Sequence, residues 1–286
     1  MILKRLYYSR FLKKLFHISF YEFKMAGGLR GLFTRGYPKR PLNFEVYRSH
    51  LKDKNGIEVG GPSPIFKKNG ILPVYPLFES IDLCNFVKSN EKIKYVCDAI
   101  DLSFIPSNKY DFLLSSHVIE HFTNPLKALI EWKRVISEGG ISLIIIPHKD
   151  GSYDHNRPVS SLAHFIEDFN NNTPPSDRTH LSEIVELTDI ILHPYANNIE
   201  SYKNYAIEGY GSRNRNAHQH VFNTESAVEM INYINLQILS VEAILPFHIV
   251  ILAKKVSDER SINNQIYLNK DASWRKESPF PSDRNN

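Results

Sequence analysis

The sequence predicts an α/β protein built on a doubly wound, mostly parallel sheet of seven strands, and three observations carry that expectation. Short runs such as Ile57–Val59, Phe112–Leu114 and Ile141–Ile146 have strand length, and the last two are apolar throughout but for Ser142, as in strands buried on both faces. Between those two runs lies a stripe at helical spacing, Leu126, Leu129, Ile130, Val135 and Ile136, so that strand, helix and strand follow one another within 40 residues. That order predicts a right-handed crossover in a parallel sheet. The first run leads into Gly60-Gly61, a turn that accepts positive φ and bares its backbone to a ligand.

The remaining elements follow in order. Over Met1–Phe23, Leu3, Leu6, Tyr7, Phe11, Leu12, Leu15 and Phe16 recur near helical spacing with Lys4, Arg5, Arg10, Lys13 and Lys14 between them. This predicts a basic amphipathic helix, open to three uses: packing on the domain, lying on a membrane surface, or binding a protein partner. Gly27-Gly28, Gly31, Gly36, Pro38 and Pro41 predict a linker, so residues 1–41 form an extension and the domain runs over 42–256. Ile71–Leu83 predicts a connection and a second strand closing on Asp82, and Lys94–Cys97 a third strand ending at Asp98-Ala99. Phe112–Leu114 is followed by Ser115, Ser116 and His117 at the fourth strand's tip. Asn124 and Pro125 supply the cap and first residue of the crossover helix, which is expected to stop at Gly139-Gly140.

Residues 150–211 are polar and rich in histidine (His155, His164, His180, His193), with a helical stretch near Leu181–Leu192, and are expected to form an inserted lid over the mouth of a site. A helix over Glu225–Asn235 capped by Thr224, and extended runs at Gln237–Ala243 and Phe247–Ala253, close the domain with one antiparallel strand at the sheet's edge. Residues 257–286, rich in Ser, Asn, Asp, Lys and Arg, are expected to be a disordered tail.

Composition narrows the function classes. The 286 residues are 42% hydrophobic, enough for a substantial core, and no apolar run approaches the roughly 20 residues of a membrane span. Cys84 and Cys97 are the only cysteines, which fits a reducing, cytoplasmic setting and no disulfide framework. Net charge is +4, yet residues 1–40 hold ten Lys or Arg against the single acid Glu22, which leaves the remainder net acidic. No nucleic-acid partner is expected from that balance.

Candidate chemistry gathers at the predicted strand tips. Asp82 lies 24 residues beyond Glu58, the spacing at which an acid on a second strand accepts hydrogen bonds from ribose hydroxyls. A carboxylate at Asp98 meets the exocyclic amine of an adenine in the same arrangement. His117–His121 also spells H-x-x-E-H, an inverted zinc-protease string, but no third ligand is identifiable. His164, Asp168, Asp177 and His180 admit a divalent ion, although unanchored loop residues read the same way; no metal is assigned to the site. The G-x-G-x-x-G that hydride-transferring dinucleotide enzymes use is missing.

Taken together, Asp111–His121 (DFLLSSHVIEH), Asn124-Pro125, Glu131–Val135 (EWKRV) and Gly139-Gly140 resemble the central block of class I S-adenosylmethionine-dependent methyltransferases, in the type 11-like branch, over roughly 54–255. The resemblance implies a Rossmann-like fold with S-adenosyl-L-methionine as cofactor. It implies that Glu58, Gly60, Gly61, Pro62 and Ser63 hold the methionine part, Asp82 the ribose, and Asp98 with Ala99 the adenine. Ser116 and His117 would line the side nearest the sulfonium. One departure is Gly60-Gly61-Pro62-Ser63-Pro64 in place of alternating glycines, where Pro62 removes a backbone donor. Methyl transfer is mainly a positioning problem, helped by a base when the acceptor is a hydroxyl. His148, just after the fifth strand, is the first expectation for that base, ahead of Asp150, Asp154 and His155. The implied activity is O-methylation of a small molecule or sugar, in a glycan-assembly setting where a basic arm would sit near a membrane. The alternative is a non-catalytic scaffold with the same fold.

Overall fold

The computed structural model describes residues 41–88, 91–193, 198–208, 215 and 217–284, and the expected basic helix over Met1–Phe23 and most of the glycine linker lie outside these. Seven strands form one sheet: β1 (Asn55–Val59), β2 (Ser80–Asn85), β3 (Ile93–Val96), β4 (Tyr110–Ser116), β5 (Ile136–Pro147), β6 (Gln237–Ile244) and β7 (His248–Lys254). Their order is β3-β2-β1-β4-β5-β7-β6. Strands β1 to β5 are parallel, while β7 runs antiparallel to β5 on one side and to the rim strand β6 on the other. The expected doubly wound sheet is therefore present.

Alternation along the central strands splits the core into two layers. Ile57, Val59, Leu113, Ile144, Ile146, Ile249 and Ile251 pack on one face, against Leu126, Leu129 and Trp132. Phe112, Leu114, Leu143, Ile145, Val250 and Leu252 pack on the other, against Tyr47, Leu51, Phe66 and Leu72. The period of two in strands explains why consecutive apolar residues serve opposite layers.

Helix α1 (Phe44–Leu51) buries Tyr47 and Leu51 on the second layer. The amides of Leu42 and Asn43 and the Tyr47 hydroxyl donate to the Glu242 carboxylate of β6 at 2.6, 3.3 and 2.6 Å. Helix α2 (Pro125–Val135) begins as the sequence predicts, with the Asn124 side chain accepting from the Lys127 amide at 3.0 Å. It ends earlier than expected, at Val135. Gly139 and Gly140 instead shape an irregular start to β5: Gly139 has φ +78°, and a Cβ on Gly140 would stand 2.7 Å from the Ser137 carbonyl oxygen.

The insertion contains α3 (Leu162–Asn170), α4 (Leu181–Leu187) and α5 (Ile199–Glu208). A small apolar cluster of Ile184, Tyr202, Ala206 and Ala217 holds part of it. Buried polar pairs hold more. Arg157, fully buried, donates to Asp154, Glu183 and the His218 carbonyl at 2.8, 2.8 and 2.9 Å. Helix α6 (Thr224–Tyr233) is capped by Asn223, in a reciprocal box with Ser226, and not by Thr224 as expected.

The expected disordered tail is folded. Residues 257–284 carry α7 (Gln265–Leu268), α8 (Ser273–Glu277) and α9 (Pro281–Arg284), with Ala272, Trp274, Phe280 and Asp283 buried. Asn264 accepts from the Ile238 amide at 2.8 Å and the Tyr267 hydroxyl donates to the Leu239 carbonyl at 2.7 Å, both on β6. Three aromatic anchors in a polar stretch suffice to dock it, so the folded unit extends beyond residue 256. Among the described residues no helix is long and apolar enough to cross a membrane.

Candidate functional site

The strand order reverses between β1 and β4, so the connections after these strands leave in opposite directions and open a crevice at their carboxyl ends. A hollow of about 240 Å³ lies there, lined by the tips of β1 (Val59, Gly60), β2 (Cys84, Asn85, Phe86) and β3 (Cys97, Asp98, Ala99) and by His117, Val118, His121 and Phe122 after β4. Gly60 has φ +80°, and a Cβ there would stand 2.1 Å from Val118 Cγ2. Only glycine lets the chain pass between β1 and the segment after β4.

Glu58 braces this turn from behind. It is fully buried, accepts from the Ser63 amide at 2.8 Å and the Tyr75 hydroxyl at 2.6 Å, and leaves no room for a Cβ on Gly61, which would stand 2.3 Å from the Glu58 carboxyl carbon. Burial pushes the Glu58 carboxyl up to about 7, against the two hydrogen bonds. Pro62 follows Gly61 through a cis peptide bond, and the Ser63 hydroxyl caps the 3₁₀ turn Pro64–Phe66. Of the five residues expected to hold the methionine part, Gly60 lines the hollow while Glu58, Gly61, Pro62 and Ser63 form the scaffold beneath it.

Asp82 is elsewhere. It sits two residues into β2, three before the tip, and accepts from Lys94 at 2.6 Å and from the Tyr110 hydroxyl at 2.7 Å at the start of β4. Burial works to raise its carboxyl, but Lys94, Tyr110 and Lys109 outweigh it and hold the pKa down. The strand runs on to Asn85, whose side-chain Nδ2 donates to the Gly61 carbonyl at 2.8 Å. Asn85 and Phe86 thus occupy the place expected for Asp82. A strand two or three residues longer than its apolar run was the signal missed.

Asp98 and Ala99 are where the sequence places them. Arg215, a few residues past the insertion, forms a two-pronged ion pair with Asp98, with Nη1 to Oδ1 at 2.8 Å, and its guanidinium lies 5.1 and 5.6 Å from the Phe86 and Phe122 ring centres. The Ala99 carbonyl accepts from Trp132 Nε1 at 2.9 Å, which locks the β3 tip onto α2. The thiols of Cys84 and Cys97 are 3.2 Å apart on the floor of the hollow.

On the β4 side, Ser116 is buried with a hydroxyl that has no partner among the described residues, and His117 takes φ 55° and contacts His248 through Nε2 at 3.0 Å. His117 and His121 do not share a helix face: the string between them is a left-handed residue followed by the 3₁₀ turn Ile119–His121. Beneath it lies Glu120, fully buried, with Oε1 3.8 Å from His117 Nδ1, 3.7 Å from His121 Nε2 and 3.8 Å from His218 Nε2. Burial pushes Glu120 up to about 7. Burial, with the neighbouring His218, takes His121 down to about 3, so its ring is neutral near pH 7. His121 Nδ1 faces the Ala217 carbonyl at 3.1 Å, which can only accept, so the proton sits on Nδ1 and Nε2 keeps a lone pair. His218 donates to Asp154 at 2.6 Å and contacts Tyr153 at 2.7 Å; burial opposes its cation, yet Asp154 outweighs burial and raises its pKa.

His148 is not the base that the sequence leads one to expect. It has no exposed surface, Nδ1 accepts from the Asp150 amide at 3.1 Å, Nε2 donates to Asp283 at 3.1 Å, and Phe280 stacks on the ring at 3.9 Å. Both nitrogens are used, and the folded tail covers them. Asp150 accepts from the Ser282 amide and Asp154 is engaged by Arg157 and His218. His155 pairs with Asp189 at 3.0 Å.

Residues 73–144 match the family model described as "Methyltransferase domain". No curated protein matches the chain. Among solved structures the chain is similar to a Burkholderia thailandensis 1,6-didemethyltoxoflavin-N1-methyltransferase with bound 1,6-didemethyltoxoflavin and S-adenosylhomocysteine (10% identity, 88% of this chain and 90% of that one, TM-score 0.43). It is also similar to an S-adenosylmethionine-dependent methyltransferase from Aquifex aeolicus (12% identity, 75% and 90% coverage, TM-score 0.39). A third is an O-methyltransferase family 2 protein from Planctomyces limnophilus in complex with apigenin (12% identity, 72% and 50% coverage, TM-score 0.39).

The cofactor that a methyltransferase domain implies is S-adenosyl-L-methionine, and the residues that line the hollow fit it. The cradle at Gly60 leaves backbone bare, Asp98 stands at the β3 tip with its carboxylate paired to Arg215, and Phe86 and Phe122 supply aromatic walls. Because Asp82 lies outside the hollow, Asp82→Ala is expected to leave cofactor affinity within about twofold while costing about 1 kcal/mol of stability. Paired calorimetric and urea-unfolding measurements check this, and a large affinity loss would restore Asp82 to the ribose. Residues 73–144 match a model of a methyltransferase domain, and the sheet that contains them is Rossmann-like, seven-stranded and mostly parallel, with β7 antiparallel to both its neighbours.

Proposed function

We propose that the chain methylates a hydroxyl group on a small molecule or sugar, with S-adenosyl-L-methionine as donor. The observation that carries this reading is the Glu120–His121 pair at the wall of the crevice, a carboxyl raised to about 7 beside an imidazole whose Nε2 lone pair is free. A hydroxyl acceptor must lose its proton as the new bond forms, and such a pair takes that proton as a unit. When bound, the cofactor supplies a methyl carbon activated by positive sulfur, which passes to the acceptor oxygen as the carbon–sulfur bond breaks. Gly60 and the β1 turn hold the donor, Asp98 and Ala99 orient its base, and His121 receives the hydroxyl proton while the Glu120 carboxylate compensates the imidazolium. Asp154, through His218, holds the second charge of the network in place.

A second reading, a scaffold without catalysis, draws on Arg215, whose ion pair occupies Asp98. Calorimetry of the full chain with S-adenosylhomocysteine separates the two. Micromolar binding that disappears in Gly60→Val, with the variant's melting curve still cooperative, is the expected result, because valine at φ +80° would also collide with Val118. Absence of binding by the unaltered chain would favour the scaffold. Methyl incorporation into a panel of sugar and phenol acceptors then tests the hydroxyl assignment.

A further inference from the structure

We propose that His164, His180, His220 and Asp168 form a binding site for one zinc-like divalent transition-metal ion, which pins the insertion to the sheet. These residues come from three separate segments. His164 and Asp168 are one turn apart on α3, His180 immediately precedes α4, and His220 leads into Phe222, which bridges to His148 at the end of β5. His164 Nε2 is 2.9 Å from His180 Nε2 and 3.4 Å from Asp168 Oδ2, and His220 Nε2 is 3.5 Å from the same oxygen. One ligand atom from each of the three histidines lies within 4.8 Å of the others. Metal–nitrogen bonds of about 2.0–2.1 Å in a tetrahedron separate neighbouring donors by roughly 3.3 Å, so shifts of a few tenths of an ångström bring these donors onto one ion.

The polar atoms aimed into this point are otherwise unexplained. His220 is 1% exposed, and among the described residues neither its Nε2 nor Asp168 Oδ2 has a hydrogen-bond partner. The other Asp168 oxygen accepts from the Thr173 hydroxyl at 2.9 Å and the Asp168 carbonyl from Asn124 at 3.0 Å, which fix the free oxygen toward the histidines. Leaving a buried carboxylate oxygen and a buried imidazole nitrogen unpaired is costly, and a single His164–His180 hydrogen bond satisfies neither. One cation satisfies both. Three imidazoles and a carboxylate suit zinc, copper or nickel over magnesium or calcium, and four protein ligands leave no open position, as in a structural site. The Glu120, His121 and His218 group differs, because Asp154 and Tyr153 already engage both nitrogens of His218 and the Ala217 carbonyl engages His121 Nδ1, which leaves His121 Nε2 as its one free imidazole nitrogen.

The test uses untagged full-length chain purified without chelator, with metal content measured by mass spectrometry and the stripped protein titrated with cobalt(II). About one equivalent of metal per chain is expected, and the cobalt form should show the visible absorption of a four-coordinate site. His180→Ala and His220→Ala should each drop the content to roughly a tenth of an equivalent. Because the buried His220 variant can fail to fold, the half-exposed His164→Gln serves beside it, judged only with an unchanged circular dichroism spectrum. Stripping should lower the melting temperature, and zinc should restore it. Stripped wild-type chain that takes up no cobalt, a six-coordinate cobalt spectrum, or folded variants that keep their metal would each overturn the proposal. So would metal lost on His121→Ala and retained in His180→Ala.

Discussion

His121→Gln is expected to lower kcat by about a hundredfold to ten-thousandfold, the usual range for removing a positioned proton acceptor, while cofactor affinity changes by only a few-fold. The side chain reaches the hollow through the 3₁₀ turn after β4, and its Nδ1 proton is held by the Ala217 carbonyl, so glutamine keeps bulk but cannot accept and carry a proton. The partner variant Glu120→Gln separates positioning from proton acceptance through its pH profile. In the unaltered chain the Glu120 carboxyl, pushed up to about 7 by burial, is ionised above that pH and takes up a proton below it. The rate should therefore fall as pH drops through about 7, and this limb should vanish in Glu120→Gln. A steady-state profile in which the limb persists would assign it to another group.

Asp283→Ala is expected to cost about 3–5 kcal/mol of folding stability, because it strips partners from a buried network. Asp283 is buried at 1% exposure and accepts from His148 Nε2, the Thr224 amide, the Thr224 hydroxyl and the Ser278 hydroxyl at 3.1, 3.1, 2.6 and 2.6 Å. Removing it leaves four buried donors unpaired beside β5 and α6. Burial tends to raise the Asp283 pKa, but His148, Ser278 and Thr224 outweigh it and depress it. A depressed carboxyl contributes stability that is present above its unfolded pKa of about 3.9 and lost as pH falls through the lower folded value. Urea unfolding between pH 3 and 7 should show that acid-side loss in the unaltered chain and a shallower one in Asp283→Ala. Equal midpoints at neutral pH would mean that the tail contributes little.

The central sheet was legible because both-face burial leaves an apolar run that no solvent-facing segment imitates. The Asn124-Pro125 start of α2 and the β3 tip at Asp98-Ala99 were readable for the same kind of reason, a local chemical demand met by few residue types. Asp82 misled because it stands in the amino-terminal half of β2, where Lys94 and Tyr110 meet it, and the strand runs three residues further, to Asn85. His148 looked like a base from its position after β5, and only the tail's return over it shows that both nitrogens are engaged. The tail itself hid behind its composition, since Trp274 and Phe280 dock it while Asn, Ser and Asp dominate its letters. The insertion was least legible: Arg157, Asp154 and His218 hold it through buried charge, which has no period along a sequence. His220 joined the histidine group only in three dimensions, 40 residues after His180.

The two ends of the described domain meet on the same strand. Leu42 and Asn43 clamp Glu242 from one end, and Asn264 and Tyr267 engage Ile238 and Leu239 from the other. A rim strand ordinarily offers its unpaired amides and carbonyls to any passing chain, which is the route to cross-molecule pairing and fibrils. Here the chain spends its own flanks on that rim, so a proteolytic nick near residue 257 would uncover a sticky edge as well as loosen the domain.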